Sequence, residues 1–140
     1  WVHGDIASGN ILLKNNKGEI LICKRATTKR NYPGQITSSA GGHVEKGEDY
    51  KTAAKRELKE ELGIITPLKD IGRFDVISPQ ERSIHHLFIG KAKKVSVDPN
   101  EISDCYFLSP KSIKKDLALH PRKYCKPFHL AFELFLKNQK

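Results

Sequence analysis

Glu57, Glu60 and Glu61 are the residues of this chain whose spacing points most directly to chemistry. At i, i+3 and i+4 they share one face of a helix, where like charges repel by roughly 0.2–0.5 kcal/mol per pair. They also fall in the last turn, just before Gly63, where the helix macrodipole disfavours negative charge. A solvated charged face is the plain alternative, because Lys51, Lys55, Arg56 and Lys59 are close by. The glycines that flank the segment, Gly42 and Gly63, weigh against it. A divalent cation would convert three costly carboxylates into a binding site.

The helix that must position them is legible. Asp49 is a suitable N-cap and Glu48 adds acidity near the N-terminus. Lys51 to Leu62 consists mostly of strong helix formers. Ala54, Leu58 and Leu62 recur every four residues as an apolar stripe. Gly63 supplies a left-handed stop. Glu57 and Glu61 lie about one residue's rotation from the stripe, so they should border the core.

Residues 42–64 read Gly–x5–Glu–x7–Arg–Glu–Leu–x–Glu–Glu–x–Gly–Ile, with Gly42, Glu48, Arg56, Glu57, Leu58, Glu60, Glu61, Gly63 and Ile64 at the defined positions. This resembles the Nudix box at every one of them, and a weaker resemblance runs from about Ile11 to Phe135. The resemblance implies a Mg²⁺- or Mn²⁺-dependent hydrolase of diphosphate linkages, with a nucleoside diphosphate derivative or a related organic diphosphate as small-molecule substrate. By the same resemblance Glu57, Glu60 and Glu61 would ligate metal, one of them serving as base, and the Gly42 carbonyl would be a further ligand. Arg56 and Glu48 would form a supporting ion pair that fixes the loop on the helix. The residue types suit the task. Mg²⁺ takes oxygen ligands and keeps several waters. It offsets charge on phosphate oxygens and activates an attacking water, whose proton a carboxylate accepts.

Other pieces resemble the branch of that family containing isopentenyl-diphosphate isomerase: Lys24-Arg25-Ala26, Tyr32-Pro33-Gly34, Ser39-Ala40-Gly41-Gly42-His43 and Pro127-Phe128. Those isomerases carry a catalytic cysteine where Gly41 stands, and they usually keep only the box carboxylate matching Glu61. Both departures favour hydrolysis. An isomerase-like enzyme and a non-catalytic nucleotide or RNA sensor are the alternatives, and a sensor should have lost box glutamates. His43, which matches a metal-binding histidine of the isomerases, joins Glu45 and Glu101 as a candidate additional ligand. His85 and His86 are adjacent on an expected strand, so one at most faces the site.

Bulk properties suit a small soluble enzyme. The chain has 140 residues, 38% of them hydrophobic, enough for one domain with a core. It contains neither a membrane-length apolar run nor a signal-peptide pattern. Trp1 stands where a start methionine would, so the native beginning is expected to precede it. Cys23, Cys105 and Cys125 are dispersed and odd in number, which reads as reduced thiols in a cytoplasmic protein. The net charge of +9, from 25 basic and 16 acidic residues, would steer an anionic substrate. Aromatics are not interleaved with the lysines, so solubilising charge is preferred to nucleic-acid binding. Membrane association is not expected, and a homodimer stays open.

Along the chain, Gly9–Lys14 and Ile20–Lys24 form an expected hairpin around Asn15-Asn16-Lys17-Gly18. Tyr32-Pro33-Gly34 reads as a turn. Further strands are expected at Ile36–Ala40, Ile71–Ile77, Ile84–Ala92 and Cys105–Leu108, with a loop over Ser78–Glu81. Ser109-Pro110 opens a helix to about Leu117, and Pro127 opens a last one with Phe128, Ala131, Phe132, Phe135 and Leu136 on its core face. Such an order implies layered α/β packing; by resemblance it is the Nudix α/β/α sandwich with a mixed central sheet. His3-Gly4-Asp5-Ile6-Ala7-Ser8-Gly9-Asn10 resembles the catalytic loop of aminoglycoside phosphotransferase-type kinases, in which an aspartate is the base and an asparagine holds Mg²⁺. No metal-binding aspartate follows in Glu19 to Lys24, and no ATP-binding lobe precedes it in this sequence. Residues 1–10 are therefore read as the lead-in to the first strand, with a kinase remnant as the alternative.

Overall fold

The computed structural model describes residues 5–28, 32–77, 79, 82–93 and 102–139. Among these described residues, seven strands and three helices follow in the order β1 (Asp5–Lys14), β2 (Ile20–Arg25), β3 (Ile36–Thr37), β4 (Ala40–His43), α1 (Tyr50–Leu62), β5 (Lys69–Ile77), β6 (Arg82–Lys91), β7 (Ile102–Leu108), α2 (Pro110–Leu119) and α3 (Lys126–Lys137), with a 3-10 turn at Pro121–Lys123. The strands form one mixed sheet of order β3-β2-β1-β6-β5, with β4 paired to β1 and β7 to β2. β1 and β6 are parallel over ten residue pairs, from Asp5↔Arg82 to Lys14↔Lys91. The other pairings are antiparallel.

The sheet is covered on both faces, so Ile11–Leu13 of β1 and Ile20–Cys23 of β2 read as continuous apolar runs. Leu12, Ile20, Ile22 and Leu87 pack against Ile113 of α2 and Phe128, Ala131, Phe132 and Phe135 of α3. Ile11, Leu13, Leu21 and Phe88 pack on the other face against Ala54, Leu58 and Leu62 of α1. The result is an α/β/α sandwich. Its hairpin closes on Asn15, whose Oδ1 accepts from the N–H groups of Lys17 and Glu19 (3.0 and 2.9 Å).

Three expectations need correction. Ile36–Ala40 is two strands, because the chain leaves β2 after Thr37 and joins β1 at Ala40. The first strand begins at Asp5 rather than Gly9, so most of the supposed lead-in belongs to a central strand. The cysteines are not all reduced thiols: Cys23 and Cys105, 82 residues apart in sequence, form a disulfide with Cα atoms 4.2 Å apart. Their distance in sequence hides that β2 and β7 pair antiparallel with these two residues directly opposed. Cys125 is buried and free, and burial pushes its thiol pKa up. Glu101 and three residues of the Ser78–Glu81 loop lie outside the described residues. Among the described residues no helix is long and apolar enough to cross a membrane.

Candidate active site

α1 is placed by its two ends. Asp49 caps it by accepting from the Thr52 N–H at 2.7 Å, and that hydrogen bond holds its carboxyl below the usual range. At the other end Gly63 adopts φ 67°, ψ 21° and donates to the Lys59 carbonyl, a geometry glycine reaches without strain. Ala53, Ala54, Leu58 and Leu62 are buried. That fixes the rotation of the helix and sets Glu57, Glu60 and Glu61 along one rim of a cleft of about 810 Å³.

Arg56 organises the loop that faces this rim. Its Nε and Nη2 donate to the two carboxylate oxygens of Glu48 (2.8 and 3.0 Å). Nη2 also donates to the His43 carbonyl (3.0 Å) and Nη1 to Glu57 Oε1 (2.7 Å). The bidentate pair is part-buried, the geometry in which Arg–carboxylate pairing is strongest. It raises the Arg56 pKa and lowers that of Glu48. Glu48 Oε1 in turn accepts from the Glu45 N–H (2.9 Å). The loop from His43 to Asp49 is therefore tied to the helix at one guanidinium.

Glu57 is more buried than Glu60, and desolvation raises its pKa although Arg56 opposes the shift. It lies directly above Gly42, where an added Cβ would come within 2.3 Å of the Glu57 carboxyl carbon. A side chain there would displace the Glu57 carboxylate from its place over the loop. Glu61 Oε1 accepts from the Gly41 N–H at 3.2 Å. Glu60 is 60% exposed and reaches Arg56 only at 3.5 Å. Glu45 and His43 line the same cleft. Among the described residues no three His, Cys, Asp or Glu side chains already converge as a metal-binding cluster. Glu57 and Glu61 are instead turned to protein donors. The donor set itself, carboxylates with a nearby backbone carbonyl, suits a hard divalent cation.

The wall opposite α1 is not legible as a motif. Ser8 and Asn10 of β1, Ser38 and Ser39 between β3 and β4, and His85 of β6 are all buried and line the cleft. Asn10 Nδ2 donates to His85 Nδ1 (2.5 Å), Ser38 Oγ donates to Asn10 Oδ1 (3.3 Å), and His85 Nε2 pairs with Ser83 Oγ (2.9 Å). Burial, and secondarily the charge of His43, holds the His85 pKa down at about 4, so the ring is neutral near pH 7. His86 points the other way, paired with Asp70 at 3.0 Å and against Tyr50. The available signal was the interruption of apolar strands by Ser8, Asn10 and His85. Their meeting depends on a parallel pairing across 75 residues.

This sandwich, with a helix ending in three glutamates beside a glycine loop, defines a class of fold and site. The NUDIX domain model matches residues 6–127, and the chain belongs to the Nudix hydrolase family. It is 35% identical over 128 residues to an uncharacterized Nudix hydrolase of Pseudomonas aeruginosa, covering 90% of this chain and 75% of that one. It is 39% identical over 101 residues to an isopentenyl-diphosphate Delta-isomerase of Photorhabdus laumondii, covering 68% of this chain and 57% of that protein. Among solved structures, the MutT protein of Methanosarcina mazei superposes with a TM-score of 0.82 at 26% identity, covering 97% and 96% of the two chains.

Proposed function

We propose that this protein is a Mg²⁺- or Mn²⁺-dependent hydrolase that cleaves the diphosphate linkage of a nucleoside diphosphate derivative or related organic diphosphate. The observation that carries the reading is the juxtaposition of Glu57, Glu60 and Glu61 with the Gly42 loop on one rim of the cleft. Glu57, Glu60, Glu61 and the Gly42 carbonyl would hold the cation, with Glu45, His43 and Glu101 as additional candidates. The cation, when bound, offsets phosphate charge and makes water a better nucleophile.

The chain's own residues divide the remaining work. Arg56 holds Glu57 from one side and the Glu48 loop from the other, so the carboxylate keeps its position as charge develops. One box glutamate that is not spent on the cation accepts the proton of the attacking water. The raised pKa of Glu57 marks a poorly solvated carboxylate whose charge a cation would stabilise. The excess of basic residues draws an anionic substrate toward the cleft. The reading places the enzyme in the cytoplasm.

Likeness to isopentenyl-diphosphate isomerases raises isomerisation as the competing activity. Gly41 weighs against it. An added Cβ there would lie 2.8 Å from the Gly9 carbonyl oxygen, so the position at which the isomerases carry cysteine has no room for a side chain without a backbone shift.

The test is release of phosphate or nucleoside monophosphate from nucleoside triphosphates, dinucleotides, nucleotide sugars and isopentenyl diphosphate, each with Mg²⁺, Mn²⁺ or EDTA. Hydrolysis that EDTA abolishes is the expected result. Conversion of isopentenyl diphosphate to its isomer without hydrolysis of any member would overturn the reading.

A further inference from the structure

All six buried polar side chains among the described residues, Ser8, Asn10, Ser38, Ser39, Ser83 and His85, gather at one place. Five line the cleft and the sixth is bonded to His85. Buried polar groups cost stability unless paired, so their concentration calls for a reason. The strands give a sharp contrast. On the same face of β1 and β6, one step deeper, Asn10 and His85 give way to Leu12 and Leu87, which are part of the α3-side core. An apolar wall was structurally available, and the sequence departs from it only where the cleft begins.

Ser39 is spent on the backbone: its hydroxyl donates to the Leu21 carbonyl (2.7 Å) and accepts from the Leu13 N–H (2.9 Å). Asn10 is not fully spent. Its amide offers two hydrogens and two lone pairs, of which one hydrogen goes to His85 and one lone pair to Ser38. These two contacts fix the amide plane. Among the described residues they leave one donor and one acceptor of the amide without a partner, on a residue that lines the cleft and is only 7% exposed. Among the described residues, the cleft-lining side chains of β1, β6 and the β3–β4 turn include no carboxylate and no lysine, and the one arginine lining the cleft, Arg25, stands at the end of β2.

We propose that Asn10, oriented by His85 and Ser38, is a specificity-determining residue that reads an uncharged donor–acceptor group on the substrate beyond its diphosphate, a nucleobase edge or sugar hydroxyls, and disfavours an isoprenyl chain. The inference rests on the diphosphate reading above and names the class of group attached to it. A substrate without such a group would leave the Asn10 amide buried and unpaired, which costs it roughly ten- to a hundredfold in affinity.

Binding is the readout, so that the proposal stands apart from turnover. Calorimetric titrations of the whole chain with ADP, phosphoribosyl diphosphate and isopentenyl diphosphate, in the presence of Mg²⁺, compare the wild type with Asn10→Leu and with Ser38→Ala. The latter keeps Asn10 but frees its amide, and thermal melts verify that each variant is folded. The expected result is at least tenfold tighter binding of ADP or phosphoribosyl diphosphate than of isopentenyl diphosphate. Asn10→Leu erases that ratio and Ser38→Ala reduces it. A preference for ADP assigns the nucleobase, and one for phosphoribosyl diphosphate the sugar. An unchanged ratio in Asn10→Leu, tightest binding of isopentenyl diphosphate by the wild type, or binding of none of the three would overturn the proposal. Retained preference without metal-dependent turnover in parallel assays would instead sink the hydrolase reading alone.

Discussion

Across one cleft, the α1 rim carries Glu57, Glu60 and Glu61 with Arg56, while the β1–β6 wall presents Ser8, Asn10, Ser38 and a neutral His85. The charged rim is half-solvated: Glu60 is 60% exposed, and Arg56 and Glu57 keep 23% and 18% of their side-chain surface. Water and one guanidinium make three neighbouring carboxylates tolerable there. The β1–β6 wall is buried, so its groups must satisfy one another, and they do so through the chain Ser38–Asn10–His85–Ser83. On the proposed reading, charge that would respond to a cation sits where solvent can screen it. Groups that must hold one orientation sit where packing locks them.

The largest effect should come from the charged rim. Replacing Glu57 or Glu61 with Gln is expected to lower kcat by about 10²–10⁴-fold, measured by product release at saturating Mg²⁺. Because like charges crowd the helix end, Glu60→Gln should hold or slightly raise the melting temperature, by roughly 0.2–0.5 kcal/mol of stability per repulsive pair removed. A large loss of stability in any of these variants would mean that the carboxylates are structural.

Arg56→Lys sharpens the comparison one step further out. Lysine keeps the charge but cannot bond Glu48 bidentately while also holding Glu57 and the His43 carbonyl. Activity or metal affinity should fall by about 10–100-fold, read as kcat/KM against Mg²⁺ concentration.

The neutral wall predicts a pH dependence of stability rather than of charge balance. The pKa of His85 falls from 6.5 to about 4 on folding. Between those values the unfolded chain binds a proton that the folded protein does not, so native stability declines as pH drops through that window. The loss is on the order of 3 kcal/mol in total. Urea melts between pH 7 and pH 4 should show it, and His85→Gln should flatten the slope. The smallest effect belongs to Glu45, whose side chain is 67% exposed and contacts Arg56 at 3.5 Å. Glu45→Gln should change stability by less than about 1 kcal/mol.

The two walls also differ in how far the sequence discloses them. Everything that builds the α1 rim is local: the Asp49 cap, the Ala54–Leu58–Leu62 stripe, the Gly63 stop and the glutamate spacing all fall within one helix, and the helix lies where they place it. The α3 core face was legible for the same reason, with Phe128, Ala131, Phe132 and Phe135 buried together. β1 extends further toward the N-terminus than its sequence suggests, because Ser8-Gly9-Asn10 lacks the apolar alternation of a strand. Its place in the sheet is earned by ten parallel pairs with β6. The Cys23–Cys105 bond and the Asn10–His85 contact join residues 82 and 75 apart, and no local periodicity encodes either.

The central claim is that the α1 rim is a cation site, and Mn²⁺ binding tests it most directly. The electron paramagnetic resonance signal of free Mn²⁺ would be titrated with the wild type and with the Glu57→Gln and Glu61→Gln variants. Stoichiometric loss of free signal with the wild type, and weakening by at least tenfold in both variants while their melting temperatures stay near the wild type's, is the predicted result. Equal Mn²⁺ binding by wild type and variants, or no binding by the wild type, would contradict the account.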